Sequence, residues 1–246
     1  MQTGLYYRLG MNKLVLNLRI AVPAILLLFA QSVWGKTSYP VHGIAYPPFV
    51  TEDSSRPGVT VAFLNRLLED FDAEADMNLL PPARLQATLN RHEFLASLVS
   101  PEYVDEAILE FRFVGEPIYR RLFRHVNSTR AFSAIDGATV ARLGFLFQNA
   151  ENDTTVILGG IPISVPNFES AVRMLVAERV DFVLGVEEAV MDAARRLGVA
   201  DELTPAPVPM QTFDPLVMYV NSSHPQADAL VAILNRIEGL VQTNTK

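Results

Sequence analysis

The sequence contains no cysteine, and this absence excludes several kinds of chemistry. No disulfide can form, no thiol can act as a nucleophile, and no thiolate can bind a metal. A lipid-modified cysteine at the end of a leader segment is excluded as well. A folded domain must therefore be held by its apolar core alone, and a chain of 246 residues that is 50% hydrophobic is long enough to bury one.

Basic residues are scarce relative to acidic ones, with 20 Lys and Arg against 27 Asp and Glu. The imbalance is larger beyond residue 35, because residues 1–35 contain Arg8, Lys13 and Arg19 but no acidic residue. Nucleic-acid binding depends on basic patches that meet phosphate groups. The composition therefore predicts no nucleic-acid partner.

Groupings that would mark a catalytic or metal site are also lacking. In "RHEFLAS" His92 and Glu93 begin a zinc-protease pattern, but Ala96 stands where its second histidine belongs. No glycine-rich phosphate loop and no serine nucleophile elbow occurs in the sequence. The four histidines lie on separate segments: His42, His92, His125 and His224. We predict no catalytic residue, no metal site and no cofactor.

The apolar run Ile20–Ala30 is shorter than the ~20 residues of a membrane-spanning helix. Lys13 and Arg19 precede it, and small residues that suit a cleavage site follow it up to Gly35. This pattern predicts a secretory signal peptide over residues 1–35.

Two alternatives to this N-terminal prediction stay open: the segment is retained as an anchor, or the true start is Met11. With a cleaved signal peptide and no cysteine for lipid attachment, the protein is expected to be free in the periplasm.

Strand-like and helix-like segments alternate beyond residue 40. Strands are predicted for "YPVHGIAY", "MNLLPP" and "FLASLV", and helices between them for "GVTVAFLNRLLEDFDAEA" and "ARLQATLNRHE". This order is typical of a parallel sheet with crossover helices. After a long extended stretch in "ILEFRFVGEPIYRRLFRHVNS", strands are predicted for "ATVARLGFLF", "PISV" and "RVDFVLG", and helices for "NFESAVRMLVAE" and "EEAVMDAARRLG". A strand "LVMYVN" and a helix "HPQADALVAILNRIEGLV" close the chain.

The alternation predicts an α/β fold of two lobes. Residues 36–120 and 216–246 would form lobe 1, and residues 121–215 would form lobe 2, with extended crossings near 118–127 and 205–220. Two lobes joined by two crossings enclose a cleft that closes around a ligand by hinge motion. In open α/β sheets the ligand lies beyond the carboxyl ends of the strands.

The segment "GIAYPPFVTED" follows the first predicted strand and therefore lies at such an end. Pro47 and Pro48 restrict the backbone, so the rings of Tyr46 and Phe49 would be presented to a ligand at little entropic cost. We predict that this loop lines the binding cleft. The alternative for Phe49 is that its ring packs into the core of lobe 1.

Four segments together resemble the family 3 periplasmic solute-binding proteins, which are receptor subunits of polar amino-acid ABC importers. The segments are "IAYPPFV", "GVTVAFLNRLLEDF", "ESAVRMLVAERVDFVLG" and "LVMYVNSSHPQADALVAILNRIEGL", and they span nearly all of residues 40–243. The resemblance implies a type II periplasmic-binding fold with two hinge crossings. It also implies that Tyr46 and Phe49, in the aromatic-proline-aromatic loop, line the ligand cleft.

The sequence departs from that family at two positions that would hold an amino acid. The arginine that receives the ligand carboxylate is not matched cleanly: Arg112 is off the expected spacing, and Arg84 resembles the arginine of a divergent branch. Arg84 would bind an acidic ligand or pair with a neighbouring carboxylate. Val186 stands where the family places the aspartate for the ligand ammonium, and Glu187 would either replace that aspartate or complement the helix dipole.

Further candidates lie at helix starts and near the crossings. The loop after "VARLGFLF" and the turn "VPNFES" would offer backbone N–H groups to an anion, although Asn167 would also cap its own helix. Glu116, Tyr119 and Asp214 lie near the predicted crossings and would face the ligand.

The sequence predicts a monomeric solute-binding protein that captures a small polar metabolite and presents it to an ABC permease in the inner membrane. Two alternatives stay open. One is a dehydratase-like enzyme on the same fold, with Glu116 or Glu187 as the acid or base. The other is a ligand-sensing protein without an importer.

Overall fold

The computed structural model describes residues 35–102, 105–113, 115–144, 154–214 and 216–243. The predicted signal peptide lies almost entirely outside these residues, and so does the loop after "VARLGFLF". Contacts divide the chain into Met1–Lys36 and Thr37–Lys246, and the description below concerns the second unit. No helix in the described ranges is long and apolar enough to cross a membrane.

The first lobe is a six-stranded sheet with three helices. Its chain order is β1 (Thr37–Gly43), α1 (Val59–Glu69), β2 (Ala73–Leu79), α2 (Pro82–Asn90), β3 (Ala96–Ser97) and β4 (Ile108–Phe113), completed later by β11 (Leu216–Asn221), α6 (Ala227–Leu234) and β12 (Leu240–Thr243). The strand order is β12-β4-β11-β3-β1-β2. β1 runs parallel to β2 and β3, whereas β11 pairs antiparallel with β3 and β4.

The second lobe is a further six-stranded sheet. It comprises β5 (Ile118–His125), β6 (Thr139–Leu143), α3 (Thr154–Ile157), β7 (Ile161–Val165), α4 (Phe168–Val176), β8 (Phe182–Val186), α5 (Glu187–Leu197), β9 (Leu203–Pro205) and β10 (Gln211–Phe213). The strand order is β10-β5-β8-β6-β7, and β9 also pairs with β5. β6 is parallel to β7 and β8, and β5 is antiparallel to β8.

These two sheets confirm the predicted α/β class and two-lobed architecture. The chain crosses between the lobes first between β4 and β5 and again between β10 and β11, because β4 and β11 belong to the first sheet and β5 and β10 to the second. The predicted lobe boundary after residue 120 thus falls within β5.

Three predicted element bounds are wrong. The first helix ends at Glu69 rather than continuing to Ala75, and Ala73 and Ala75 instead face the core from β2, where the amide of Ala75 donates to Asn65 Oδ1. Alanine is small enough for the helical or the strand period, so the positions of Ala73 and Ala75 were also compatible with the predicted helix. The stretch that begins with "ILEFRF" was predicted as one long extended segment, but it contains two strands, β4 and β5, that belong to different sheets. The last helix ends at Leu234, and a strand that pairs with β4 follows it.

Two helix boundaries are confirmed. Asn167 caps α4, since its Oδ1 accepts from the amide of Ser170 at 2.8 Å. Gly198 ends α5 in the left-handed conformation, with φ of 73°, which glycine adopts at little cost.

Candidate functional site

A short closed turn follows β1 and presents the two predicted aromatic rings. The amide of Tyr46 donates to the carbonyl of Val50 at 2.8 Å, and the amide of Val50 donates back to the carbonyl of Tyr46 at 3.1 Å. Within this turn the Tyr46 and Phe49 rings stack with centroids 5.9 Å apart. We call residues 46–50 the aromatic turn.

The start of α1 holds the aromatic turn in place. The amides of Val59 and Thr60 donate to the carbonyls of Pro48 and Phe49, each at 3.0 Å. Gly58 permits this approach, because a Cβ atom there would lie 2.3 Å from the carbonyl oxygen of Phe49. These two amides of α1 are therefore engaged by the turn.

The aromatic turn reaches across to the second lobe. The Tyr46 ring contacts the ring of Phe168, the first residue of α4, edge to face, with centroids 5.7 Å apart and ring planes at 74°. Phe168 in turn lies over Gly185 of β8, where a Cβ atom would come within 2.4 Å of its ring. Tyr46, Phe49 and Phe168 thus form an aromatic contact between the lobes.

A cavity of about 280 Å³ lies between the two sheets, beside the aromatic turn. It is lined from the first lobe by Ile44, Tyr46, Phe49, Val50, Thr60, Leu98, Val99, Leu216 and Val217, from the second by Ile118, Arg120, Val186 and Phe213, and from the return crossing by Asp214. Three of the lining residues lie at strand ends: Ile44 directly follows β1, Leu98 directly follows β3, and Val186 is the last residue of β8. The cavity therefore lies at the carboxyl ends of parallel strands, where α/β sheets bind ligands.

The cavity wall is mostly apolar and carries one cation and one carboxylate. Arg120 donates to Gln211, and its guanidinium carbon lies 4.7 Å from the centroid of the Phe213 ring. Asp214 accepts from Arg112 at 2.9 Å, and Arg112 also binds the buried carboxylate of Glu110. The hydrogen bonds that Arg112 donates to Glu110 and Asp214 raise the pKa of Arg112.

The hydroxyl group of Tyr46 is buried and has no hydrogen-bond partner among the described residues. Burial raises the pKa of Tyr46 well above its ordinary value, and the positive charge of Arg120 opposes the shift. The backbone of Val186 also lowers the pKa of Tyr46, although it does not lie at hydrogen-bond geometry to the hydroxyl group. The negative charge of Glu188 raises this pKa.

A second, larger cavity of about 930 Å³ also borders the aromatic turn, at Pro47 and Pro48. Its wall includes Pro47, Pro48, Asn167 and charged side chains. Most of those charges are partnered: Arg56 pairs with Asp53 at 3.2 Å, and Arg196 pairs with both Glu169 and Asp192. We call this cavity the outer groove.

The candidate ligand residues predicted from the sequence lie in five different places. Tyr46 and Phe49 line the cavity, and Asn167 lines the outer groove. Arg84 is exposed on α2, and Glu116 is exposed in the first crossing; neither lines either cavity.

Tyr119 and Glu187 belong to a contact on the second lobe, and neither lines either cavity. The guanidinium carbon of Arg121 lies 5.2 Å from the centroid of the Tyr119 ring, and Arg121 also pairs with Glu187 and donates to the carbonyl of Ala206. Glu187 is thus already engaged by a cation of its own lobe.

Sequence reasoning missed Arg120 and Phe168. The period-two alternation along β5 is the signal for Arg120, because it places Ile118 and Arg120 on the face opposite Tyr119 and Arg121. No local pattern identifies Phe168, whose partner Tyr46 lies 122 positions earlier in the chain. Among the described residues no group of three or more His, Cys, Asp or Glu could hold a metal.

No protein-family model matches this sequence, and no curated protein matches it. Solved structures do match. One is the GluR0 ligand-binding core complexed with L-glutamate, with a TM-score of 0.63 and 15% identity over 82% of this chain and 92% of that one. An ABC uptake transporter substrate-binding protein from Streptococcus pneumoniae with bound histidine has a TM-score of 0.62 and 13% identity over 81% and 85%.

A third match is a histidine kinase sensor domain with similarity to periplasmic binding proteins. Its TM-score is 0.61 and its identity 16%, over 85% of this chain and 99% of that one. All three proteins are named for binding or sensing. At these identities the likeness concerns the fold, and this chain has the two-lobed fold of periplasmic binding proteins.

Proposed function

We propose that this chain, which has the two-lobed fold of periplasmic binding proteins, is a receptor that closes on a small-molecule ligand between its lobes. The observation that carries the proposal is the cavity of about 280 Å³ bounded by both lobes and by the return crossing. Its volume lies near the lower end of the ~300–1,000 Å³ range of small-molecule sites. The ligand is therefore small.

The receptor would act in the periplasm as a monomer, after removal of residues 1–35, and would present its ligand to an ABC permease. The signal-peptide pattern and the lack of cysteine support the location. The Streptococcus pneumoniae substrate-binding protein, which belongs to an ABC uptake transporter, supports the partner by analogy of fold.

A sensing role is the second candidate, because a histidine kinase sensor domain matches this fold over 99% of its own length. The two roles differ in the partner rather than in the cleft. Co-purification with a permease, or loss of ligand uptake on deletion of the gene, would indicate transport. Unchanged uptake together with a ligand-dependent transcriptional response would indicate sensing.

The cleft itself is tested by thermal unfolding. The chain, expressed in full and processed by the host, is mixed with amino acids, amines, organic acids and small peptides. A ligand at a hundredfold excess over Kd stabilises the native state by about 2.7 kcal/mol, which for this size raises Tm by about 5–10 °C. No shift with any compound would contradict the proposal.

Turnover bears on the enzyme alternative and is checked in the same samples by mass spectrometry. Glu116 and Glu187 were the candidate acids for that alternative, and neither lines the cavity. We therefore expect each compound that binds to be recovered unchanged. Conversion of a bound compound without added cofactor would favour an enzyme.

A further inference from the structure

The wall of the cavity between the lobes is mostly apolar. Its apolar lining residues are Ile44, Phe49, Val50, Leu98, Val99, Ile118, Val186, Phe213, Leu216 and Val217. A charged ligand group would lose its hydration against these side chains without gaining a partner. An apolar ligand body would gain free energy from the same transfer out of water. The wall therefore favours an apolar ligand body.

The charged residues that line the cavity, among those the structure describes, are Arg120 and Asp214, and protein groups engage both. Asp214 accepts from Arg112 at 2.9 Å. Arg120 donates to Gln211, and its guanidinium carbon lies 4.7 Å from the centroid of the Phe213 ring, where the face of the ring stabilises the cation. A charged ligand would therefore have to compete with one of these contacts.

The hydroxyl group of Tyr46 differs from these charged groups. It is buried and has no hydrogen-bond partner within the described ranges, and Tyr46 lines the cavity. A buried polar group without a partner costs free energy, which a bound molecule recovers if it supplies that partner. A tyrosine hydroxyl is uncharged near neutral pH and can both donate and accept. A hydroxyl or carbonyl group of a ligand would therefore pair with it without bringing a charge into the cavity.

We propose that the ligand is a small uncharged molecule with an aromatic or branched aliphatic body and one hydroxyl or carbonyl group, which forms a hydrogen bond with the Tyr46 hydroxyl. This inference rests on the proposed receptor function and adds the ligand class to it. It replaces the polar metabolite that the sequence predicts. The matched structures named for L-glutamate and histidine hold charged ligands, so the two classes can be separated by experiment.

The test is isothermal titration calorimetry on the full chain, processed by the host, with compounds that share one body and differ in charge. The phenyl series is 2-phenylethanol, phenylacetate, 2-phenylethylamine and L-phenylalanine. The aliphatic series is 3-methylbutanol, 3-methylbutanoate, 3-methylbutylamine and L-leucine. Because an unpaired buried charge is costly, we expect the alcohol of at least one series to bind about a hundredfold or more tightly than its charged counterparts.

The role of the Tyr46 hydroxyl is tested by Tyr46→Phe with two ligands, 2-phenylethanol and ethylbenzene, which lacks the hydroxyl group. The variant should weaken binding of 2-phenylethanol by about threefold or more and leave the affinity for ethylbenzene unchanged. Tyr119→Phe is the matched control, because Tyr119 lines neither cavity, and it should leave both affinities unchanged. If Tyr46→Phe does not fold, the two charge series on the unmodified chain decide alone.

Three results would overturn the inference while leaving the receptor function in place. They are binding of an ion or a zwitterion as tightly as the matching alcohol, binding confined to charged members of the wider metabolite panel, and an equal effect of a folded Tyr46→Phe variant on 2-phenylethanol and ethylbenzene. The uncharged compounds are added to that wider panel. If no compound in the extended panel binds, both proposals are overturned together.

Discussion

The Tyr46 ring of the first lobe contacts the Phe168 ring of the second edge to face, with centroids 5.7 Å apart and ring planes at 74°. An edge-to-face pair of this kind contributes about 0.5–1.5 kcal/mol beyond the burial of its area. Tyr46 also lines the cavity. In the proposed receptor the same ring would contribute both to the contact between the lobes and to ligand binding.

We expect Tyr46→Phe to raise the stability of the unliganded protein. The hydroxyl group is buried without a partner, so removing it relieves a cost of about 1 kcal/mol, and the stacked rings remain. Urea unfolding without ligand measures the change. Tyr46→Ala, which removes the ring contacts as well, should be destabilising. A loss of stability in Tyr46→Phe would mean that the hydroxyl has a partner.

Gly185→Ala should destabilise the second lobe by about 1–3 kcal/mol through overpacking. The added Cβ would lie 2.4 Å from Cε1 of Phe168 and 2.6 Å from Cγ2 of Val190, so the Phe168 ring must shift away from Tyr46. Denaturant unfolding gives the stability, and calorimetry with a bound ligand should show a weaker affinity. Combining Gly185→Ala with Phe168→Leu should cost less than the sum of the two single changes. Strict additivity would contradict this account.

Arg112→Met should destabilise the protein because it leaves the buried carboxylate of Glu110 without its cation. The Glu110 residue is only 4% exposed, whereas the Arg112 side chain is 45% exposed, so we expect about 2 kcal/mol, below the full cost of breaking a buried pair. Adding Glu110→Gln to Arg112→Met should recover part of the loss. Asp214→Asn removes the more exposed partner and should cost about 1 kcal/mol or less. Equal losses of stability for Arg112→Met and Asp214→Asn would show that the pair between Arg112 and Glu110 contributes nothing to stability.

Asp181→Asn should lower the free energy of unfolding by about 1 kcal/mol at neutral pH and by less in acid. Burial alone would raise the pKa of Asp181, but the amide and hydroxyl of Thr139 and the nearby Arg130 lower it below its usual 3.8. These groups lie 2.8, 2.9 and 2.9 Å from the carboxylate. A lowered folded-state pKa contributes stability that is present above pH 3.8 and lost as the pH falls through the folded value.

The stability difference between the unmodified chain and Asp181→Asn is measured by urea unfolding from pH 7 to pH 2.5. We expect it to shrink in the acid part of that range. A difference that stays constant below pH 3.8 would mean that the carboxylate is not held by these donors.

The fold was predictable from residues that act over short distances. Asn167 and Gly198 mark helix ends by their own chemistry, and the alternation of strand and helix patterns indicates two α/β lobes. The element bounds were less predictable, because Ala73 and Ala75 are small enough for either helix or strand. The last strand, β12, forms by pairing with β4, and no local sequence pattern predicts that pairing.

The candidate site was predictable in part. The aromatic turn follows a strand and carries two prolines, so Tyr46 and Phe49 could be selected from the sequence. Arg84 and Glu116 could not be judged that way, since their exposure depends on how α2 and the first crossing lie. Glu187 and Glu188 are adjacent acids of equal appearance, and only the position of Arg121 distinguishes them.

By itself the amino-acid sequence determined the order of strands and helices, the class of fold and the stiff ring-bearing turn after β1, because each depends on neighbours within a few positions. Only the tertiary structure decided what each cation contacts. Arg112 and Arg121 pair with protein carboxylates, whereas Arg120 donates to Gln211 and lines the cavity. Pairing across distant segments settles this, since a buried charge is governed by what packs against it in space.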